Sequence, residues 1–131
     1  MSKNEITKNS RKKIIEFEKA LISNADGVNI EGDGNHILTE SKIAPIKHTF
    51  ADGVYVRQMD LKKDSVVVGA IHKHLHVWFL LIGHITVLAN EDSIFVNIHK
   101  NPSNTEDIDE LEKEIVALNY KEYEQYINKK K

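Results

Sequence analysis

The sequence predicts a mainly β protein, a small β-unit with a helix near each end of the chain. Three observations predict it. Apolar residues recur at helical spacing near the termini, at Ile14, Phe17 and Leu21 and again at Ile108, Leu111, Ile115 and Leu118. Between them, glycine and Asn/Asp turn signals cut the chain into short β-branched and aromatic runs. Finally, 131 residues with 40% hydrophobic and 29% charged content suit one domain with one core. The expected organisation is a single domain over 1–131, with an N-terminal helical segment at 1–25, a β core at 48–100 and a C-terminal helix at 104–128.

Each element has a local reason. The first helix runs over Ser10 to Asn24, with Ile15 and Ile22 widening its stripe, and Asn24 to Gly27 supplies the stop. Residues 26–48 are weakly patterned and read as loop with at most one strand. Asp52-Gly53 is a turn that launches a strand over Val54 to Leu61. Val66 to Val68 leads through Gly69 into a histidine-bearing strand. After Gly83, His84 to Leu88 reads as the next strand, and Asn90 to Asp92 as a turn. Ile94 to His99 is the last strand, closed by Asn101-Pro102. Short strands so closely spaced suggest a small sandwich or barrel. In the C-terminal helix, Ser103 and Glu106 have capping-box spacing, and Asp107, Asp109, Glu110 and Glu112 favour the positive end of the helix dipole. Tyr120, Tyr123 and Tyr126 continue one face.

Composition narrows the function. A net charge of −2 gives no broad basic face for nucleic acid. The longest apolar run is too short to span a bilayer, and the N-terminus leads into no apolar signal core, so no membrane partner is expected. With no cysteine there is neither a thiolate site nor a disulfide framework. A cytoplasmic location is the expectation.

The chemistry is concentrated in histidine. IHKHLHVWFLLIG, residues 71–83, carries His72, His74 and His76 at alternate positions. On a strand they share a face, neighbours about 6–7 Å apart and the outer pair about 13 Å apart. Metal–nitrogen bonds of about 2.0–2.1 Å let neighbours converge on one ion, while the outer pair needs a bend or bulge. The economical site is therefore His74 with His72 or His76, completed from another strand by His99 or, second, by His84. Imidazole donors point to a divalent transition metal: zinc, iron, nickel or copper. The competing reading is a solvated strand face that holds no ion. His36 and His48 read as loop or strand-edge residues. Asn29, Glu31, Asp33, Gly34 and Glu40 match calcium-loop spacing, but His36 and Pro45 break the pattern and favour a plain polar turn.

Gly53-Val54-Tyr55 with Arg57, the Lys62-Lys63-Asp64 turn, Gly69-Ala70-Ile71-His72-Lys73 with His76, and Gly83 before Ile85-Thr86-Val87 follow one another over residues 48–88. With this pattern the segment resembles the cupin superfamily, more narrowly small cupin-like proteins of bacteriophages. The ending FVNIHKN and its acidic helix extend the resemblance to about residue 118. It implies a jelly-roll β-barrel with metal or substrate at its mouth, a virus-encoded protein, and a location in host cytoplasm or virion. The first cupin motif pairs two histidines with a glutamate. His72 and His74, or His74 and His76, supply the pair, but Trp78, Phe79 and Leu80 stand where the glutamate belongs. The second motif has no counterpart, so either the barrel is shortened or a segment is absent.

Two functions compete. A cupin-type metalloenzyme, a dioxygenase or isomerase, needs a carboxylate that the motif lacks. A non-enzymatic module for assembly or binding, with viral or host protein partners, does not. A shortened barrel leaves a strand edge to cover, so a homo-oligomer is expected. The missing carboxylate favours the module.

Overall fold

The computed structural model describes residues 3–24, 30–32, 38–83 and 91–130. Its element order is α1 (Lys3–Ser23), β1 (Ile46–Ala51), β2 (Val54–Leu61), β3 (Ile71–His72), β4 (Val77–Ile82), β5 (Ser93–Lys100), α2 (Ile108–Ile115), β6 (Val116–Ala117) and α3 (Tyr120–Lys129). Four strands form an antiparallel sheet in the order β1-β2-β5-β4, and β3 pairs separately with β6. The mainly β class with flanking helices is as expected. Among the described residues the sheet is open, not closed into a barrel. His36, His84 and the strand expected at His84 to Leu88 lie outside the described residues, as do three of the five calcium-loop positions.

Antiparallel register sorts the side chains onto two faces. Phe50 stands opposite Tyr55, His48 opposite Arg57, and Tyr55 opposite His99, so these residues share one face. That inner face is roofed at one end by α2. Tyr55, Leu111, Ile115 and Val116 form a buried cluster with Phe50 against it. Full burial of such side chains stabilises by about 1.5–3 kcal/mol each. A second cluster joins Ala44 and Leu61, with Met59 and Phe95 packed on it. Gly53 closes the β1–β2 hairpin at φ +68°, a left-handed backbone that glycine adopts without steric cost.

The C-terminal segment departs from the single helix expected over 104–128. Ile115, Val116 and Ala117 are buried in succession. A helix turns one of three consecutive residues away from its packed face, whereas an extended pair with cover on both sides buries them all. Val116 accordingly takes φ −123° and ψ 146°, ends α2 and pairs with His72. The start of α2 differs too. Asp107 is its N-cap, accepting from the Glu110 amide at 3.1 Å, in place of the Ser103 capping box. Asn119 caps α3 in the same way.

Two further differences concern strands. β1 forms where the sequence was weakly patterned, its ladder to β2 completed by the hairpin turn. Val66 to Val68 forms no strand, and the histidine segment is not one continuous strand. β3 ends at His72, the chain bends over Lys73 and His74, and β4 begins at Val77.

Candidate metal centre

Two strands and the residue that leads into a third bring three imidazoles together. His99 lies on the inner face of β5 and is buried. Val77 pairs with Ile98, so extending that register by one residue sets His76 opposite His99. His72 arrives from the other side because β3 is pinned to β6, and the Lys73 amide donates to the Ile115 carbonyl at 2.7 Å. The ring centroids are 4.0 Å apart for His72 and His76, 4.9 Å for His72 and His99, and 4.7 Å for His76 and His99. One nitrogen from each lies within 4.8 Å of the others. A tetrahedral ion with bonds of about 2.1 Å holds its nitrogens about 3.4 Å apart, inside the 4.8 Å limit within which these three lie.

The bend is what unites His72 with His76, the outer pair that a straight strand separates. It also removes His74. That ring sits edge-on to Tyr126 of α3, centroids 5.7 Å apart, with the tyrosine hydroxyl 3.4 Å from its nitrogens. His74 is therefore not brought to the cluster on which the expected site centred, because the backbone turns between His72 and His76. Lys73 fixes the same bend: its ammonium donates to the Lys113 carbonyl and pairs with Glu122 at 2.9 Å.

The surroundings suit neutral imidazoles. Burial, then the neighbouring His76 and Arg57 charges, lowers His72 to about 4. Burial, then His72, His76 and Arg57, lowers His99 to about 3. His72 Nδ1 is buried and has no hydrogen-bond partner. An unsatisfied buried ring nitrogen costs stability unless a hydrogen-bond partner or an ion meets it. Donor type, spacing and this orphaned atom all fit a transition-metal ion.

A supporting layer lies beneath. The Tyr55 ring stacks on His99 at 5.9 Å and on Phe50 at 5.3 Å. Its hydroxyl is 2.7 Å from His48 Nδ1, while His48 Nε2 is 2.8 Å from the Thr39 carbonyl. A carbonyl only accepts, so Nε2 carries the hydrogen, and Nδ1 of the neutral ring accepts from Tyr55. Burial pushes the phenol up to about 12, which keeps it a donor. Arg57 donates to Glu112 at 2.7 Å and also to the Leu38 carbonyl. Burial pushes the Glu112 carboxyl up against the pull of Arg57.

Sequence reasoning missed both partners of this pair as site support. Glu112 was one acid in a run of four, and only its place on the inward side of the Leu111–Ile115 stripe could have marked it. The Glu31 carboxylate, weighed as a calcium ligand, instead accepts from Ser41 Oγ and the Lys42 amide, which folds the turn before β1.

The lowered histidines make metal-free stability depend on pH. Unfolded histidines take up protons near pH 6.5, the folded pair only near pH 4 and 3. Between those values the unfolded chain binds more protons, so stability is full above about pH 6.5, falls with acidification and levels off below the folded values. Urea unfolding at pH 5 should show on the order of 2–4 kcal/mol less stability than at pH 7.5. Equal stability at the two pH values would show that the rings are not held neutral.

Among the described residues, no helix is long and apolar enough to cross a membrane. Comparison of the chain with protein-family models, curated proteins and solved structures finds no match.

Proposed function

We propose that the chain is a small binding module in which His72, His76 and His99 hold one divalent transition-metal ion as a structural centre. The observation that carries this reading is the convergence within 4.8 Å of three imidazoles, from β3, from the residue just before β4 and from β5. The orphaned Nδ1 of His72 supports it. Imidazole donors favour zinc, iron, nickel or copper over magnesium or calcium. A structural role is favoured because Glu112, the only buried carboxylate among the described residues, is engaged by Arg57 and is not free for proton transfer. The same proposal takes the chain as a shortened, virus-encoded relative of the cupin-like proteins, active in assembly or binding in host cytoplasm or virion.

A second reading, a cupin-type metalloenzyme, draws on one observation: three histidines leave a fourth coordination position open to a small molecule. Both readings need an ion bound to the folded chain, and the metalloenzyme alone needs the open position to take a small molecule. Protein purified without an affinity tag is expected to take up one equivalent of zinc or nickel by elemental analysis. Its melting temperature should rise with metal and return to the metal-free value with chelator, as ligand linkage requires. Absence of stoichiometric uptake would refute both readings. Uptake with an unchanged melting temperature would mean that the unfolded chain binds the ion equally well, and would refute a site built by the fold.

A further inference from the structure

Strand β4 has the sequence of a central strand and the position of an edge strand. Its six residues, VWFLLI, are apolar without a break. Such runs belong to strands covered on both faces, whereas a strand with one wet face alternates. Yet all six are exposed, from 37% at Leu80 to 60% at Trp78, Leu81 and Ile82, and Leu75 just before them is 96% exposed. One edge of β4 pairs with β5, and among the described residues no strand pairs with the other. At these fractional exposures, and with large apolar side chains of about 150–250 Å², the seven present roughly 700 Å² of apolar surface. The largest patch on a typical monomer is ~300–600 Å², and a stable interface takes ~800 Å² from each partner.

We propose that β4 is a dimerisation strand, pairing edge to edge and antiparallel with β4 of a second copy. Area is one argument for that occupant, and self-complementarity is the other. A two-fold axis presents the same surface to itself, and β4 carries no charged residue that would meet its own like across the axis. A net charge of −2 adds little repulsion between copies. The pairing satisfies the edge amides and carbonyls and joins two four-stranded sheets into one of eight. Trp78 and Leu80 on one face, and Val77 and Phe79 on the other, then gain apolar neighbours. No metal ligand lies on β4, so the dimer forms without the ion and is tested in its absence.

Trp78 is the only tryptophan in the chain, so its fluorescence reports directly on this surface. In chelator, the wild type is expected to sediment as a dimer at micromolar concentration, and Trp78 emission to shift red as dilution separates the copies. Phe79→Lys with Leu81→Lys, both exposed in the single copy, should weaken the dimer about a hundredfold or more with unchanged circular dichroism. Phe17→Lys, on the exposed side of α1, should leave it intact. If the lysine pair loses its β signal, Val77→Thr with Phe79→Thr keeps strand propensity and should still weaken the dimer about tenfold. A wild type that stays monomeric at the highest concentration overturns the proposal. So does a dimer that survives the folded β4 variant undiminished, or one lost in Phe17→Lys.

Discussion

Glu112→Ala is expected to cost the fold about 3–5 kcal/mol, because it leaves the Arg57 guanidinium buried without its counter-charge. The side chains of Arg57 and Glu112 are only 15% and 7% exposed, so water cannot replace the missing partner. A domain of this size has roughly 5–15 kcal/mol of stability in all, so the loss approaches unfolding. The comparison that identifies the mechanism is Arg57→Met with Glu112→Leu. Removing both charges together should cost less than removing Glu112 alone, since no uncompensated ion is left behind. Urea unfolding of the single and double variants gives the answer. A Glu112→Ala protein within about 1 kcal/mol of wild type would mean that Arg57 finds another partner, and that the pair does not clamp α2 to the sheet.

His99→Ala is expected to lower metal affinity by a hundredfold or more, with His72→Ala and His76→Ala close behind. Losses of about 10–100-fold are typical when only the groups that orient a ligand are removed, and loss of a ligand itself should exceed them. His74→Ala should bind within about threefold of wild type, since its ring meets Tyr126 and not the cluster. The same change should instead loosen α3 against the bend, visible as faster amide exchange over 120–129. Calorimetric titration of the four variants with zinc or nickel separates the cases. Tight binding by His99→Ala would place the ion elsewhere. Lost binding in His74→Ala would restore the site that simple alternation suggests. Because burial lowers His72 and His99 to about 4 and about 3, proton competition for these two ligands is expected well below the ordinary histidine range.

Much of the fold was legible where pattern and pairing agree. Val54 to Leu61 is bounded by a turn and rich in β-branched residues, and it forms β2 with those limits. The Ile108, Leu111 and Ile115 stripe marks the packed side of α2 because helical periodicity is a local property. The site was only half legible. Alternation nominates His72, His74 and His76, with His99 or His84 to come from another strand, but which three meet depends on a bend over Lys73 and His74. That bend is held by β6, Glu122 and Ile115, more than forty residues away in sequence. Local alternation contains no information about such contacts. Glu112 illustrates the same limit: its acidic neighbours disguise it, and only Arg57, 55 positions earlier, explains its burial. β1 was obscured for a simpler reason, since Lys47 and Thr49 on its exposed side dilute the apolar signal of Ile46 and Phe50.

The position of His72 and His99 at opposite ends of one stretch of chain has a consequence for the unfolded state. An ion bound at both would close a loop running from residue 72 to residue 99, and so act as a cross-link in a chain without cysteine. If it behaves as a covalent staple of that span does, the lost chain entropy is worth on the order of 3 kcal/mol. Such a staple would be set by metal supply and not by redox potential, and it would open reversibly wherever the ion is withdrawn.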